Sequence, residues 1–246
     1  MKCIILCAGY ATRLYPLTLD RPKSLLPIAG KPLIEHILIS IEKLDDIDEI
    51  FIITNNKFFD NFRNWKRNYS SAKPIKIIND NTKDEEDRLG AIGDIDFVVK
   101  QEKINDDILV VAGDNLFDFN LVYLHKFFNE KKVSVIALYD IQNKDLAAKK
   151  YGIVEISKSN RIINLEEKPE NPKTTLVSTA CYILSKEDIQ ELEKCIKQHQ
   201  KPDNLGDFIK WLSRRKQIYG LVFQGKWFDI GNKEQLKEAD KVWGKK

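Results

Sequence analysis

The 246-residue sequence contains no apolar run that approaches the roughly 20 residues needed to span a membrane. The start of the chain, MKCIILCAGY, holds only a short apolar run before Thr12 and Arg13, which is typical of a strand rather than of a signal peptide. A large basic excess is also missing, because 40 Lys and Arg stand against 37 Asp and Glu. Proteins that bind nucleic acid usually carry such an excess. We therefore expect neither a membrane nor a nucleic acid as a partner.

Metal-binding cysteine motifs are missing too. The four cysteines form no C-x-x-C pair, and the three histidines lie far apart in the sequence. A zinc site is therefore not expected, and reduced thiols in a cytoplasmic protein are the simplest interpretation. Cys3 and Cys7 lie four positions apart in the first predicted strand, so they face the same side of it, and we interpret them as core residues.

Short apolar runs alternate with amphipathic stretches through residue 139. The predicted strands of this part are KCIILC (2–7), EIFIIT (49–54), IKIIN (75–79), DILVVAG (107–113) and VSVIALY (133–139). The predicted helices are 33–44, 57–68, 92–101 and 121–130. Such alternation is typical of a mostly parallel sheet with helices on both of its faces. The sequence therefore predicts an α/β fold.

After residue 139 strand-like runs predominate. They are YGIVEIS (151–157), RIINLEE (161–167), LVSTACYIL (176–184) and IYGLVFQG (218–225), and helices are predicted at 186–197, at 204–215 and from Asn232. No Pro-, Gly- or Ser-rich linker separates the two parts. We therefore predict one domain, 1–246, made of two fused halves, 1–140 and 141–246.

The connection between the first strand and the first helix, residues 7–32, is far longer than most connections in compact domains. It leaves the carboxyl end of a predicted parallel strand, where α/β sheets bind ligands. Arg13 and Lys23 supply cations suited to phosphate, and Gly9 lets the backbone approach a ligand closely. The structural alternative is a solvated surface loop. A dinucleotide-binding loop is rejected, because G-x-G-x-x-G does not open a helix here.

Several motifs together resemble those of the sugar-1-phosphate nucleotidyltransferases. LCAGYATRLYPLTLDRPKSLLPIAGKPLI (6–34) is similar to the family signature G-x-G-T-R-L-x-P-L-T, followed by P-K-x-L and G-K-P. Later elements of the family resemble RLGAIGDI, VVAGDNLF, YGIVEIS, LEEKPENP and WFDIGNKEQLKEA. The resemblance covers nearly all of residues 1–243 and so does not depend on any single motif.

The resemblance implies a Rossmann-like nucleotidyltransferase fold, with a nucleotide-binding half (1–140) and a strand-rich, sugar-phosphate-binding half (141–246). It implies transfer of a nucleotidyl group from a nucleoside triphosphate to a sugar 1-phosphate, giving an NDP-sugar and pyrophosphate. Mg²⁺ is the implied cofactor, with Mn²⁺ as a substitute. The expected partners are the two substrates, and a homo-oligomer is left open.

The resemblance also implies roles for matching residues. Arg13 and Lys23 are the expected catalytic residues, and Asp114 and Asp229 the expected metal ligands. The expected sugar-phosphate-binding residues are Tyr151, Gly152, Glu167 and Lys168. The expected nucleotide-binding residues are Leu6, Ala8, Gly9, Thr12 and Gly90, together with Asn79, whose amide follows a strand and could pair with a pyrimidine edge.

The chemistry agrees with these residue types. A phosphate oxygen is already nucleophilic, so the reaction needs no general base, and none of the histidines belongs to a recurring motif. Mg²⁺ prefers one or two carboxylates together with phosphate oxygens. An Asp after a strand is more often a turn or N-cap residue. The G-D-N setting of Asp114 within the larger pattern favours the metal role instead.

Some positions depart from the family pattern. Ala11 replaces a glycine, which we expect to be tolerated only if Ala11 avoids a positive φ. Ala91, Ile92 and Asp94 fall near the expected nucleotide site, so the base stays open among dTTP, UTP, CTP and GTP. Two alternatives also stay open: a cytidylyltransferase for a non-sugar alcohol phosphate such as phosphocholine, and a catalytically silent sugar-nucleotide sensor of the same fold. We expect no appended acyltransferase domain.

Overall fold

The computed structural model describes residues 1–198 and 204–245, so His199 lies outside the described residues. The strands are β1 (Lys2–Leu6), β2 (Pro27–Ile28), β3 (Lys31–Pro32), β4 (Glu49–Thr54), β5 (Ile75–Asn79), β6 (Ile108–Ala112), β7 (Asn115–Phe117), β8 (Val135–Asp140), β9 (Gly152–Ile156), β10 (Ile162–Glu167), β11 (Leu176–Leu184), β12 (Tyr219–Phe223) and β13 (Trp227–Asp229). The helices are α1 (Leu33–Ile41), α2 (Phe59–Arg67), α3 (Gly90–Gln101), α4 (Leu121–Lys131), α5 (Lys144–Ala147), α6 (Lys186–Ile189), α7 (Leu192–Gln198), α8 (Leu205–Ser213) and α9 (Lys233–Trp243).

Within the described residues, nine strands form one sheet around β1. At its centre β5, β4, β1 and β6 lie side by side, and all three pairings are parallel. Cys3 and Ile5 of β1 pack into one core cluster, and Ile4 packs into the cluster on the opposite face. A strand covered on both faces must be apolar throughout, which explains the sequence KCIIL. The predicted α/β fold with a largely parallel sheet is confirmed.

The later strands add an antiparallel part to this sheet. β11 pairs antiparallel with β6, β8 and β9, and β10 pairs antiparallel with β9. The register of β11 shifts between Ser178 and Tyr182, where Ala180 has a φ of 51°. This irregularity bends β11, so that one strand can join the parallel centre to the strands that follow it.

Element boundaries differ from the sequence prediction in places. The single helix predicted at 186–197 is two helices, α6 and α7, and α3 begins at Gly90 instead of residue 92. The connection 7–32 contains two short 3₁₀ turns, Thr12–Leu14 and Lys23–Leu25, and the β2–β3 hairpin. These elements of the connection are two or three residues long and carry too little pattern to be recognised.

The condition set for tolerating Ala11 is not met, because Ala11 has a positive φ. Its φ is 52° and its ψ is 40°, in the left-handed region. This conformation costs a non-glycine residue roughly 1–2 kcal/mol. Two hydrogen bonds to the carbonyl oxygen of Ala11 hold it there, from the backbone N–H of Leu14 at 3.0 Å and the hydroxyl of Thr18 at 2.8 Å.

Among the helices of residues 1–198 and 204–245, none combines the length and the hydropathy that a membrane-spanning helix requires.

Candidate active site

A cavity opens where β1 and β6 end. We call the pocket of about 440 Å³ that Gly152 and Glu167 border the inner chamber, and the adjoining pocket of about 690 Å³ that Lys23 borders the outer chamber. Eight residues line both chambers: Gly9, Arg13, Arg88, Asp114, Lys150, Tyr151, Lys168 and Asp229. These eight residues therefore form the boundary between the two chambers, and we call this boundary the neck of the cavity. Its position at the carboxyl ends of parallel strands is where an open α/β sheet binds ligands.

The start of the long connection is fixed by hydrogen bonds from neighbouring segments. The side-chain amide of Asn55 donates to the carbonyl oxygen of Ala8 at 2.8 Å, and the backbone N–H of Gly113 donates to that of Leu6 at 2.8 Å. A methyl group at Gly113 would overlap the sulfur of Cys7. The chain after β6 therefore passes tightly under this connection, and Asp114 emerges from it into the cavity.

Asp114 and Asp229 are brought together by the two-stranded β7–β13 ribbon. Asn115 pairs with Asp229 in this ribbon, and the backbone N–H of Ile230 donates to the carbonyl oxygen of Asp114 at 2.9 Å. Trp227 anchors the ribbon, since its indole N–H donates to Oδ1 of Asn115 at 2.5 Å. Burial and the neighbouring Asp114 carboxylate raise the pKa of Asp229 to about 7.

Lys23 contacts one member of this acidic pair, Asp114. Its Nζ lies 2.7 Å from Oδ2 of Asp114, and both side chains are largely buried. Lys23 begins a short 3₁₀ turn whose next residue, Ser24, donates a hydrogen bond to Sγ of Cys7 at 3.3 Å. The turn is thereby tied to the loop above β1, which directs the Lys23 ammonium towards the neck of the cavity.

The acidic pair fits a magnesium ion better than a closed metal centre. No cluster of three or more His, Cys, Asp or Glu that could hold a metal ion occurs in the described residues. Mg²⁺ is usually held by one or two carboxylates, with waters and substrate phosphates as its other ligands. Burial, and next the repulsion from Asp114, raise the pKa of Asp229, and a divalent cation would relieve that repulsion. The donor set therefore suits an ion that arrives with phosphates.

Three further cations line both chambers and have no ion pair to any residue within 1–198 or 204–245. They are Arg13, Lys150 and Lys168. Arg13 lies in the 3₁₀ turn after Ala11, and the backbone N–H of Lys168 donates to the carbonyl oxygen of Tyr151 at 3.0 Å. Unpaired cations at a neck can bind the phosphates of two ligands at once.

The four residues expected to bind the sugar phosphate all line the inner chamber. They are Tyr151, Gly152, Glu167 and Lys168. Gly152 of β9 is the register partner of Glu167 of β10, so the two lie side by side. Burial and the nearby Asp207 raise the pKa of Glu167 above its ordinary value.

The residues expected to bind the nucleotide lie in different places. Leu6, Ala8, Gly9 and Gly90 line the inner chamber, and Thr12 lines the outer one. Gly90 begins α3 with a φ of 76°, a conformation that favours glycine.

The structure does not bring Asn79 into either chamber. Its amide donates to Oδ1 of Asn56 at 3.1 Å, and its Oδ1 accepts from the backbone N–H of Asn81 at 2.9 Å. Successive side chains of a strand point to opposite faces, so the next residue, Asp80, lines the inner chamber instead.

Sequence reasoning also missed residues that line the inner chamber. Besides Asp80 and Lys150, they include Ser178, Thr179, Tyr182 and Gly206. Lys150 directly precedes the Y-G pair, so position within that motif could have indicated it. Ser178 and Thr179 line the cavity at the register shift of β11, and no sequence pattern predicts that shift.

Comparison with known proteins agrees with this geometry. A family model described as Nucleotidyl transferase matches residues 2–245. A Methanocaldococcus jannaschii protein named Bifunctional protein GlmU is 33% identical over 245 residues, which cover 98% of this chain and 54% of that protein. A Sulfolobus acidocaldarius protein, provisionally named mannose-1-phosphate guanyltransferase, is 30% identical over 237 residues, which cover 94% of this chain and 60% of that protein. This chain therefore spans between half and two thirds of the length of these relatives.

A solved structure shares the fold. A Bacillus anthracis protein, provisionally described as a glucose-1-phosphate thymidylyltransferase and solved in complex with sucrose, superposes with a TM-score of 0.84. The alignment covers 99% of this chain and 95% of that protein at 24% sequence identity. At this identity the likeness concerns the fold alone.

Proposed function

This chain belongs to the nucleotidyl transferase family, and we propose that it transfers a nucleotidyl group from a nucleoside triphosphate to a sugar 1-phosphate. The family membership confirms the resemblance found in the sequence motifs. One observation carries the proposal: Arg13 and Lys23 from the loop after β1 line the same chamber as Asp114 and Asp229. A phosphoryl-transfer site needs such a meeting of cations and carboxylates.

The proposed reaction is a direct displacement. A phosphate oxygen of the acceptor forms a bond to the α-phosphorus of the nucleoside triphosphate. The bond from the α-phosphorus to the oxygen that bridges it to the β-phosphorus breaks, and pyrophosphate leaves with that electron pair. No proton has to be removed from the nucleophile, so the barrier comes mainly from bringing two polyanions together and holding them in line.

Cations at the neck supply this electrostatic work. Arg13 can grip the triphosphate oxygens bidentately and stabilise the charge that develops on pyrophosphate. Lys23 lies beside Asp114, where it can contact both the attacking and the attacked phosphate as they approach. Its contact with Asp114 keeps the ammonium in place before the substrates bind.

Asp114 and Asp229 are the residues that would hold Mg²⁺, or Mn²⁺ in its place. When bound, this ion would neutralise phosphate charge and act as a Lewis acid. The rest of the chemistry belongs to the chain itself: the β7–β13 ribbon fixes the two carboxylates, and Trp227 fixes the ribbon.

The acceptor is proposed to lie in the inner chamber against β9 and β10. Lys168 is proposed to hold its phosphate, and Glu167 to accept hydrogen bonds from its hydroxyl groups. The half-buried Glu167 carboxylate makes no hydrogen bond or ion pair with any described residue, so its oxygens are open to a ligand. This arrangement favours a polyhydroxylated acceptor, a sugar phosphate, over phosphocholine, which has no hydroxyl group to donate.

The test is pyrophosphate release across a matrix of nucleoside triphosphates and acceptors. The triphosphates are dTTP, UTP, CTP and GTP, and the acceptors are hexose 1-phosphates, polyol phosphates and phosphocholine. Asp229→Asn is the control, because it keeps the ribbon but removes a carboxylate. We expect release from at least one sugar 1-phosphate pair and none from the variant. Binding of an NDP-sugar without any release from wild-type protein would instead support the silent sensor.

A further inference from the structure

The carboxylate of Glu167 lies in a slot between two glycines. Gly152 of β9 is its register partner, and a methyl group there would come to 3.0 Å from Oε1 of Glu167. Gly206 of α8 borders the slot from the other side. A methyl group at Gly206 would overlap Oε1 of Glu167 and lie 2.7 Å from its Cδ. A side chain at Gly206 would therefore displace the carboxylate, whereas one at Gly152 would press against it.

The first turn of α8 is what brings Gly206 so close. α8 packs on β10, and Leu165, two residues before Glu167, lies on the same face of that strand. Its Cδ2 atom would be 2.9 Å from a methyl group at Gly206. Gly206 is buried and has no positive φ, so its conformation does not require glycine. Glycine is required at position 206 because the atoms of Glu167 and Leu165 leave no space for a side chain there.

We infer that Gly206 is a positioning residue that holds the Glu167 carboxylate at the wall of the inner chamber and so sets the affinity for acceptor hydroxyl groups. The inference rests on the proposed function, because it deepens the role of Glu167 in the acceptor site. A side chain at Gly206 would displace the carboxylate from its present position in the wall of the chamber. The hydroxyl groups of the sugar phosphate would then no longer find the Glu167 oxygens at hydrogen-bonding distance.

Four proteins test this: wild type, Gly206→Ala, Glu167→Ala and the double variant. We expect Gly206→Ala to raise KM for the sugar 1-phosphate about ten- to hundred-fold, the effect of losing a hydrogen bond to a charged group. The Kd of the nucleoside triphosphate, measured alone by calorimetry, should change less than two-fold. Any acceptor without hydroxyl groups, such as phosphocholine, should bind equally to wild type and Gly206→Ala.

The double variant separates positioning from a general effect on α8. The two atoms nearest to a methyl group at Gly206 belong to the Glu167 carboxylate, and the third is the flexible end of Leu165. Without that carboxylate the largest overlap is gone, so the double variant should match Glu167→Ala in KM and should lose less melting temperature than the two single changes added together. Additive effects of the two changes would show that Gly206 acts independently of Glu167 and would overturn the inference. So would an unchanged acceptor KM in Gly206→Ala.

Failure of the proposed function looks different. If wild-type protein releases no pyrophosphate with any pair of substrates, the proposed reaction is wrong. The melting temperatures of the four ligand-free proteins still report whether Gly206 and Glu167 are coupled, and calorimetry with glucose 1-phosphate still reports whether that coupling governs binding. Additive melting temperatures, or equal glucose 1-phosphate binding by wild type and Gly206→Ala, would overturn the inference in that case as well.

Discussion

Nζ of Lys23 lies 2.7 Å from Oδ2 of Asp114, although 91 positions separate the two residues in the chain. The pair joins the loop after β1 to the residue after β6, so it sits at the junction of the cavity's two chambers. In the proposed reaction the same carboxylate serves Mg²⁺ and the same ammonium serves phosphate. When the substrates bind, the contact between Lys23 and Asp114 would be replaced by contacts of Lys23 with phosphate and of Asp114 with Mg²⁺. Neither charge would therefore be left unpaired.

Lys23→Ala should lower kcat more than it raises either KM. The charge of Lys23 matters most when the two phosphates meet, so its loss weakens the transition state more than the separate ground states. Steady-state kinetics with each substrate varied in turn measures this split. Arg21→Ala is the matched control, because Arg21 lies in the same loop but lines neither chamber. A variant with normal kcat and a raised KM would assign Lys23 to simple substrate binding.

Lys168→Ala should chiefly raise KM for the sugar phosphate. A lost charge-assisted contact is worth about 1.5–3 kcal/mol, which corresponds to roughly a ten- to hundred-fold effect. Affinity for the nucleoside triphosphate alone should hardly change, and calorimetry with each ligand separately can measure both. Lys173→Ala is the control, since Lys173 pairs with Glu155 at 3.5 Å and lines neither chamber. Equal weakening of both ligands in Lys168→Ala would contradict a division of labour between the two walls of the cavity.

Removal of divalent cations should abolish turnover. Chelator should stop pyrophosphate release, and Mg²⁺ or Mn²⁺ should restore it, because Asp114 and Asp229 are proposed to hold the ion. Asp114→Asn should weaken this restoration, so that more Mg²⁺ is needed for half-maximal rate. Glu193→Gln, at an exposed carboxylate paired with Lys197 at 3.0 Å, is the control, because neither residue lines a chamber. Full activity in excess chelator would contradict the proposal that Asp114 and Asp229 hold a required metal ion.

Much of the fold and of this site could be predicted from sequence. The parallel centre was predictable because β1, β4 and β6 are apolar runs flanked by amphipathic helices. That Arg13, Lys23, Asp114 and Asp229 lie around one chamber was predictable because they belong to long motifs, while their roles stay predictions.

What escaped prediction depends on contacts between distant segments. The β7–β13 ribbon consists of three-residue strands that pair across the chain, and such short segments have no readable period. At the end of β5, Asp80 lines the inner chamber and Asn79 does not, because successive side chains of a strand point to opposite faces. The sequence does not show which of the two faces the cavity. Gly206 has meaning only beside Glu167, to which no sequence spacing connects it.

Asp80 should make stability depend on pH. It is 5% exposed, and burial raises its pKa, so its protonated form is favoured more in the folded than in the unfolded protein. The stabilising effect is complete below the unfolded pKa, about 3.9, and is lost as pH rises through the folded pKa. Asp80→Asn removes this titration.

The measurement is urea unfolding of wild type and Asp80→Asn between pH 3 and pH 7. The free energy of unfolding of Asp80→Asn, relative to wild type, should rise with pH and then level off. Asn79→Ala, a change in the preceding strand that removes no titratable group, is the control and should differ from wild type by the same amount at every pH. A difference between wild type and Asp80→Asn that stays constant with pH would show that Asp80 titrates alike in both states.

Gly113 and Gly9 should respond oppositely to alanine. At Gly113 a methyl group would overlap the sulfur of Cys7 and lie 2.8 Å from the carbonyl oxygen of Leu6, so the loop or the strand must move. Overpacking of this kind costs about 1–3 kcal/mol, and for a domain of this size each kcal/mol lowers Tm by about 2–4 °C. Because Asp114 follows directly, Gly113→Ala should also lower kcat.

At Gly9 a methyl group would have nothing within 4 Å, and the backbone there has no positive φ. Gly9→Ala should therefore keep the wild-type Tm. The methyl group would point into the open cavity at the place where the backbone is proposed to meet the nucleotide, so Kd for the nucleoside triphosphate should rise while Kd for the sugar phosphate stays the same. Thermal unfolding and two separate titrations decide the comparison. If Gly9→Ala binds the triphosphate as tightly as wild type, the nucleotide does not lie against the loop that follows β1.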